Sequence, residues 1–340
     1  MQPAELAQML ELMAAALRAM PAGAAVPAGA ASLVASAAPA TATASRTLAE
    51  WLDVHEEQIR GKGLKARTLC NRASNLKHVR RLWGARPLAE LRPHEITSAI
   101  RAEFLPGKAS TAGRVLAELR EAFDEAIAND WCDRNPARHV KLPAHRVERK
   151  RLSLETWQAM CELAKASSQR WLECLLLLAL VTGQRRGDLV KMRFDDIHDG
   201  HLHVEQQKQA GKGYGARVAI PLALRLDSIG VTVGGVIELC RLCGAPGPTL
   251  LRKAGGGPLE ESSLSIRFAE CIRAVCGDGA YSRHEWPSLH EVRSLSARLY
   301  RQQGVDTQTL LGHRHAEMTA VYEDDRGLSA GQYKRVQLSQ

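Results

Sequence analysis

The strongest constraint on the fold is a break in the apolar pattern at residues 135–151. Asn135-Pro136 is followed by a segment, Lys141 to Arg151, that contains Pro143 and five cationic side chains. Proline interrupts helices because it lacks an amide donor, and a dense charged run cannot be buried. A chain of 340 residues with 45% hydrophobic content can form two cores. The sequence therefore predicts two domains, over residues 46–140 and 153–328, joined by a basic linker at 141–152.

Apolar residues of the first domain recur at helical spacing between polar turns. The pattern predicts four helices, at Leu48 to Ile59, Ala66 to Leu82, His94 to Phe104 and Thr111 to Asn129. The last helix places one apolar face toward the core, made of Ala112, Val115, Leu116, Leu119, Phe123 and Ile127. We expect a basic surface on its outer side.

The second domain mixes helices with a short alternating pattern. Helices are predicted at Ser153 to Ser167 and Trp171 to Thr182, with further helices toward the C-terminus. His201 to Gln206 and Arg217 to Pro221 alternate between apolar and polar residues, and the segment between them carries three glycines. This pattern predicts a β-hairpin with a mobile turn that begins at Lys208.

The two ends of the chain differ in composition from these domains. Residues 1–20 place Leu and Met at helical spacing, which predicts an amphipathic helix, and residues 21–45 carry no charge and form an Ala/Pro/Gly-rich linker. The prolines and small residues of this linker argue against a membrane span. No signal peptide is recognised at residues 1–20, and residues 329–340 are expected to form a C-terminal tail.

The formal charge of +9 favours a polyanionic partner. Residues 46–150 carry 21 Lys and Arg against 14 Asp and Glu, so this region is expected to provide the main electrostatic attraction. Charge alone also fits an ordinary basic surface that binds nothing.

The eight cysteines follow no dense disulfide pattern, so we expect reduced thiols in a cytoplasm. Cys240 and Cys243, with Cys271 and Cys276, leave a zinc site open as an alternative. The second pair has four intervening residues and lies in a segment with helical periodicity, which disfavours that alternative, and no metal or cofactor is expected.

Four polar motifs follow one another through the second domain. They are Thr182-Gly183-Gln184-Arg185-Arg186-Gly187-Asp188, His290-Glu291-Val292-Arg293, Leu310-Leu311-Gly312-His313 and, nine residues after His313, Tyr322. In this order the motifs resemble the catalytic set of the tyrosine recombinases, and in particular the lambda-type phage integrases. Glu205 to Lys208, Ser294 to Tyr300 and Asp324 to Gly327 extend the resemblance over residues 46–328.

The resemblance implies a mainly α fold with a small β-hairpin or sheet, arranged as a two-domain, C-shaped clamp. A helical core-binding domain would be joined to an α+β tyrosine recombinase catalytic domain. The reaction implied is cleavage and rejoining of DNA through a 3′-phosphotyrosyl intermediate, without metal or ATP, as in the integration or excision of a prophage or mobile element.

Cleavage of a phosphodiester without metal requires a nucleophile, cationic donors for the phosphate oxygens and an acid for the leaving 5′ oxygen. Arg185 and Arg293 have the forked guanidinium that suits phosphate. The resemblance makes Tyr322 the nucleophile, His313 a phosphate ligand and His290 the group that assists removal of the tyrosine proton.

Two further site residues are expected near these groups. Asp188 is placed to orient Arg185, although a charge at a helix N-terminus is an equal alternative. Lys208 is the expected general acid. The turn from Gln209 to Arg217 is longer than in the lambda-type pattern and carries Lys212, which leaves open whether Lys212 can replace Lys208.

The expected partner is double-stranded DNA at attachment sites, bound by a homotetramer in a bacterial cytoplasm or phage-infected cell. The resemblance leaves open whether accessory DNA-bending or directionality proteins take part. Basic residues expected to contact DNA are Lys65, Arg67, Arg72, Lys77, Lys141, Arg146, Arg149 and Lys150. A chromosomal resolvase or type IB-like topoisomerase of the same chemistry, and a DNA-binding regulator without catalysis, are the competing functions.

Overall fold

The computed structural model describes residues 46–105, 107–143, 149–206 and 216–323. These residues fall into two units, one ending at His145 and the other beginning at Arg146. The predicted N-terminal helix and linker, Arg146, Lys208, Lys212 and the predicted tail lie outside the described residues.

In the described part of the first unit, four helices lie close to their predicted positions: α1 (Leu48–Gly61), α2 (Ala66–Trp83), α3 (Pro93–Phe104) and α4 (Ala109–Ala128). Thr47 caps α1, because its hydroxyl accepts from the Glu50 amide while the Glu50 carboxylate accepts from the Thr47 amide. Pro93 begins α3, where its missing amide donor costs no intrahelical bond.

Helix α4 is the centre of the first core. Its predicted apolar face is buried, except that Ile127 is partly exposed. Trp51 of α1 packs against this helix, with its indole donating to the Ala122 carbonyl at 2.7 Å. The expected basic outer surface is wrong, because Glu121 and Asp124 lie exposed on α4. These acidic positions attract cations from neighbouring helices, and Arg72 lies 2.8 Å from Glu121.

The second unit contains helices and two small antiparallel sheets. Its helices are α5 (Leu154–Ala166), α6 (Trp171–Thr182), α7 (Arg186–Leu189), α8 (Val233–Leu242), α9 (Glu261–Cys276), α10 (Leu289–Gln302), α11 (Thr307–Leu311) and α12 (Ala316–Glu323). Its strands are β1 (Ile197–His198), β2 (His201–Glu205), β3 (Arg217–Pro221), β4 (Arg225–Leu226) and β5 (Val231–Thr232). A 3₁₀ turn, Phe194–Asp196, precedes β1.

The predicted β-hairpin is confirmed as strands β2 and β3. His201 pairs with Pro221 at one end and Glu205 with Arg217 at the other, and β1 adds a third strand beside β2. Alternate residues of both strands are buried, which agrees with the period of two in the sequence. Gln206 follows β2 directly, and its side chain contacts Arg185, the residue before α7.

Helices α6 and α10 lie in the centre of the second core. Every residue of α10 from Leu289 to Tyr300 is buried, except His290. Burial of a charged side chain is costly unless the chain is paired or hydrogen-bonded. The polar residues of α10 must therefore have partners, and these partners surround the candidate active site.

The eight cysteines are free thiols. No cluster of three or more His, Cys, Asp or Glu side chains suited to a metal forms in the ranges that the structure describes. Cys271 instead contacts the Met160 carbonyl at 3.6 Å within the core. Within the same ranges, no helix has the length and apolarity needed to cross a membrane.

Candidate active site

Arg293 is the buried centre of the site. It lies on α10 with 1% of its surface exposed, and it donates to the Gly183 carbonyl at 2.7 Å and the Leu311 carbonyl at 2.6 Å. Burial, followed by the charge of Arg185, lowers the pKa of Arg293 to about 10. A pKa near 10 still leaves the guanidinium charged at neutral pH, so two arginine charges share this pocket.

The Arg293 guanidinium can also donate a hydrogen bond to a further acceptor. Its Nε is buried and makes no hydrogen bond among the described residues. A buried donor without an acceptor is uncommon, and it points to a group that the site receives during function. The anionic oxygen of a phosphate would fit both this donor and the positive charge.

Arg185 is held at the N-terminus of α7 by an amide that sequence reasoning did not assign. Its Nη1 donates at 2.7 Å to Gln206 Oε1, at the end of β2. Gln206 is fully buried, and its Nε2 donates to Gln184 Oε1 at 2.7 Å and to the Leu311 carbonyl at 2.9 Å. The Leu311 carbonyl thus accepts from both Gln206 and Arg293. Because Gln206 also binds Arg185, this carbonyl links the groups that hold the two arginines.

Gln184 completes this buried set of amides. Its Nε2 donates to the Thr182 carbonyl at 3.0 Å and to the Leu310 carbonyl at 2.8 Å. The signal for both glutamines was their place in the motifs: Gln184 precedes Arg185, and Gln206 lies two residues before Lys208. Neither residue type suggests catalysis by itself, so this support was missed.

Two glycines let the loops approach closely. Gly183 and Gly312 have φ values of +63° and +62°, which favour glycine over other residues. A Cβ on Gly312 would lie 2.8 Å from Nε2 of the Gln206 side chain. A Cβ on Gly183 would lie 3.0 Å from the Leu311 side chain. Each motif glycine therefore ends a helix, α6 or α11, and makes room for its neighbour.

His313 follows α11 and is 5% exposed. Arg293 Nη2 donates to His313 Nε2 at 2.9 Å, while His313 Nδ1 lies 2.9 Å from Thr319 Oγ1. Burial first, and then the positive charges of Arg293 and Arg185, lower the pKa of His313 to about 4. The ring is therefore neutral near pH 7, with its proton on Nδ1 and donated to Thr319.

Tyr322 lies in the last turn of α12, at the mouth of the pocket. His290 Nε2 is 3.1 Å from the Tyr322 hydroxyl oxygen. The phenol ring lies 5.4 Å from the Arg293 guanidinium carbon and 5.1 Å from the His313 ring centre. The structure therefore brings together Arg185, His290, Arg293, His313 and Tyr322, within one unit of one chain.

Asp188 and Arg186 occupy different environments on α7. Asp188 is 5% exposed, and its negative charge raises the pKa of Arg293, against the larger effect of burial. Arg186 is exposed and contacts Glu261 at 3.3 Å and Ser265 at 2.8 Å, so it lies at the surface.

The basic residues expected at DNA differ in their availability. Lys65, Arg67, Lys77, Lys141 and Arg149 are exposed. Lys150 is partly exposed and lies 3.2 Å from Glu285. Arg72 is paired with Glu118 at 2.7 Å and Glu121 at 2.8 Å, with 14% of its side chain exposed, so its guanidinium already has partners inside its own unit.

The sequence of this chain is similar to those of known phage proteins. The sequence pattern of the phage integrase family matches residues 150–327, and that of the phage integrase central domain matches residues 44–142. The integrase of Escherichia phage lambda is 36% identical over 286 residues, which cover 83% of this chain and 77% of the relative.

Solved structures agree with these matches. A lambda integrase dimer bound to a COC′ core site is 34% identical, with a TM-score of 0.78, and the match covers 86% of this chain and 100% of that one. A lambda integrase tetramer bound to a Holliday junction has the same identity and TM-score and covers 85% and 81% of the two chains. Together with the site geometry, these matches show that the chain belongs to the phage integrase family.

Proposed function

We propose that this chain cuts and rejoins DNA at specific sites through a 3′-phosphotyrosyl link to Tyr322, and that it integrates or excises a prophage or other mobile element. Family membership makes the chain a site-specific recombinase of the tyrosine type. The observation that carries the residue assignment is the position of Tyr322, 3.1 Å from His290 and above the buried Arg293.

Arg185 and Arg293 bind the scissile phosphate in this proposal. Burial first, and then repulsion by Arg185, lowers the pKa of Arg293, and an anion between the two arginines would relieve that repulsion. The guanidinium of Arg293 is fixed by two backbone carbonyls, and that of Arg185 by Gln206. Such fixed donors stabilise a transition state because they need not reorient as negative charge develops.

His313 and His290 have separate roles. His313 is a neutral phosphate ligand. When DNA binds, its proton lies on Nε2, which donates to a phosphate oxygen in place of the Arg293 contact, while Nδ1 accepts from the Thr319 hydroxyl. His290 is the exposed histidine beside the phenol and accepts its proton as the tyrosine oxygen attacks phosphorus. The bond from phosphorus to the 5′ oxygen breaks, and that oxygen takes a proton from Lys208 and leaves as a hydroxyl.

The tyrosyl phosphodiester conserves the energy of the broken ester bond. The reverse step, attack by a 5′-hydroxyl, therefore needs no ATP, and we propose that no metal or other cofactor takes part. The negative charge of Asp188 favours the charged form of Arg293.

Double-stranded DNA attachment sites are the proposed partner, bound by four copies of this chain during strand exchange. Support comes from the likeness to lambda integrase bound to a core site and, as a tetramer, to a Holliday junction. The proposed core-binding domain is residues 46–140, the basic linker 141–152 and the catalytic domain 153–328. The proposed location is the bacterial cytoplasm, where such DNA is found. Accessory DNA-bending or directionality proteins are further candidate partners.

Covalent trapping tests the assignment. Nicked suicide duplexes that span the DNA beside the gene are mixed with wild-type protein or with Tyr322→Phe, and the products are separated on a denaturing gel. We expect a protein-linked DNA band with the wild type alone. A band of equal strength with Tyr322→Phe would exclude Tyr322 as the nucleophile.

Lys208 requires a separate substrate. A 5′-thiol leaves without a proton, so Lys208→Ala should fail on an ordinary phosphate and still cleave a 5′-thio-substituted one. Lys212→Ala, in the same predicted turn, is the matched control, and it should cleave both substrates. Equal failure of Lys208→Ala on both substrates would contradict the acid role.

A further inference from the structure

The backbone next to Tyr322 is held by two side chains outside the catalytic set. Val321 and Tyr322 lie in the last turn of α12, and the last carbonyls of a helix have no partner inside it. Arg151 Nη2 donates to the Val321 carbonyl, and Ser294 Oγ donates to the Tyr322 carbonyl at 2.6 Å. The carbonyls on either side of the nucleophile's Cα are thus fixed to the rest of the unit.

Arg151 is itself fixed by a buried ion pair. Its Nη1 lies 2.9 Å from Glu291 Oε2, and the two side chains are 5% and 7% exposed. Glu291 belongs to α10 and follows His290, so the pair connects the nucleophile's helix to the helix that carries His290 and Arg293. The guanidinium fork serves both contacts because its two terminal nitrogens point to different acceptors.

Ser294 is oriented by a second buried arginine. Arg298 Nη1 donates to Ser294 Oγ at 3.0 Å, and its Nη2 donates to the Leu152 carbonyl at 2.7 Å. Because the serine oxygen accepts from the guanidinium, its own proton is available for the Tyr322 carbonyl. Ser294 lies on the same face of α10, one helical turn after the neighbouring residues His290 and Glu291.

We infer that Arg151 and Ser294 are positioning residues for the nucleophile, because they dock the end of α12 and hold the Tyr322 phenol beside His290 in the same chain. This inference rests on the proposed function. Neither side chain is assigned a contact with the phosphate, so both act only through Tyr322. A misplacement of a reacting group by about 1 Å can slow a reaction roughly 100-fold.

Docking through the backbone has a distinctive kinetic consequence. Cleavage begins from a free phenol that must be held in place, whereas ligation begins from a phenol already bonded to phosphorus. In ligation a 5′-hydroxyl attacks the phosphotyrosyl phosphorus, and the Tyr322 oxygen leaves and regains a proton. The loss of docking should therefore slow cleavage and leave ligation nearly unchanged, since the covalent bond replaces the lost contacts.

Two variants separate docking from folding. Ser294→Ala removes one donor with little change of volume. The double variant Arg151→Met/Glu291→Gln removes the donor to Val321 without leaving a buried charge unpaired, which a single change at Arg151 would do. Arg267→Met is the matched control, because Arg267 forms an exposed pair with Glu270 on α9.

The experiment measures single-turnover cleavage of suicide duplexes, and then ligation of the isolated covalent complexes after addition of a 5′-hydroxyl oligonucleotide. We expect cleavage to fall about 10-fold for Ser294→Ala and about 10–100-fold for the double variant, with ligation within about threefold of wild type and DNA affinity unchanged. Arg267→Met should match the wild type in both steps.

Each outcome has a defined meaning. Equal losses in cleavage and ligation would overturn the positioning role, because they would place the defect in the phosphate pocket or in the fold. Unchanged cleavage in both variants would overturn it as well. No covalent product from the wild type would overturn the proposed function, and the positioning role with it.

Discussion

The two units bury polar side chains to very different extents. In the described part of the first unit, the buried polar or charged side chains are His55 and Glu118. The second unit buries a much larger set, which includes Arg151, Gln184, Asp188, Gln206, Glu291, Arg293, Ser294, Arg298 and His313. Most residues of this second set contact Tyr322, its helix or the groups around it. The buried polar side chains of the second unit are therefore concentrated at the candidate active site.

The buried polar groups of the first unit are paired locally across its own helices. His55 lies 2.7 Å from Glu125, and Glu118 lies 2.7 Å from Arg72. In the second unit, side chains instead fix loop carbonyls and one another in a continuous network. The helices of the two units thus serve different purposes. The first unit is stabilised mainly by apolar packing, and the second tolerates costly polar burial because its network positions reacting groups.

Phe123→Ala should have the largest effect on stability. Phe123 is fully buried on α4, and removal of a buried phenylalanine side chain costs about 3–5 kcal/mol. If the first unit serves as a scaffold, the cleavage rate at saturating DNA, well below the melting temperature, should stay within about threefold of wild type. Urea unfolding and single-turnover cleavage measure the two effects, and Phe123→Leu is the milder control. A large loss of cleavage in the folded Leu variant would contradict this division of roles.

Arg293→Lys, in the second unit, should instead affect the cleavage rate most. Lysine keeps the charge but cannot donate to the Gly183 and Leu311 carbonyls and to a phosphate together. Loss of one fixed donor to a developing charge typically slows a reaction about 10²–10³-fold. Single-turnover cleavage is the measurement, with DNA affinity as the control. A rate near that of the wild type would show that charge, and not geometry, is what the site requires.

Acid should destabilise the second unit through His313. Its pKa is about 4 in the folded chain and 6.5 ordinarily, so between these values the unfolded state binds the proton and the folded state does not. The contribution of His313 to stability is complete above pH 6.5 and is lost as the pH falls toward 4. At pH 5 the loss should reach at most about 2 kcal/mol.

The matching experiment compares the free energy of unfolding at pH 7 and pH 5 for wild type and His313→Gln, without DNA. The variant should lose less stability between the two pH values than the wild type. Burial also lowers the pKa of His55, so the first unit changes in the same direction in both proteins and its effect cancels in the comparison. Identical pH dependence would contradict the neutral, buried state of His313.

Much of the fold could be predicted because it depends on local periodicity. Helix α4 was expected at Thr111 to Asn129 and spans Ala109–Ala128, and the β2–β3 hairpin followed from alternation and its glycine-rich turn. Strands of two residues, such as β4 and β5, are too short to show a period, and they were missed. The candidate site was predicted because the four motifs follow one another in the order typical of the tyrosine recombinases. The fold then brings their residues into contact.

What the sequence did not reveal depends on distant partners. Arg151 ends a charged run that was expected to be exposed. Lys141 and Arg149 are exposed, but Arg151 is buried, so the expectation is wrong at this one residue. Its burial depends on Glu291, 140 residues away, whose position only the tertiary fold determines. Gln184 and Gln206 were missed for a similar reason, because amides acquire a role only through the carbonyls they meet. A pattern of residue types contains no information on such pairs.

The smallest expected effect concerns DNA affinity, and it separates two basic residues of α2. Lys77 is exposed, whereas Arg72 is held by Glu118 and Glu121. Each phosphate contact contributes about 0.9 to the slope of log affinity against log salt. Lys77→Ala should therefore reduce this slope by about 1, and Arg72→Ala should leave the slope unchanged but lower the free energy of unfolding of its unit. Fluorescence anisotropy over a salt series measures the slopes, and a reduced slope for Arg72→Ala alone would show that DNA displaces its acidic partners, so that part of the first unit's polar pairing also serves binding.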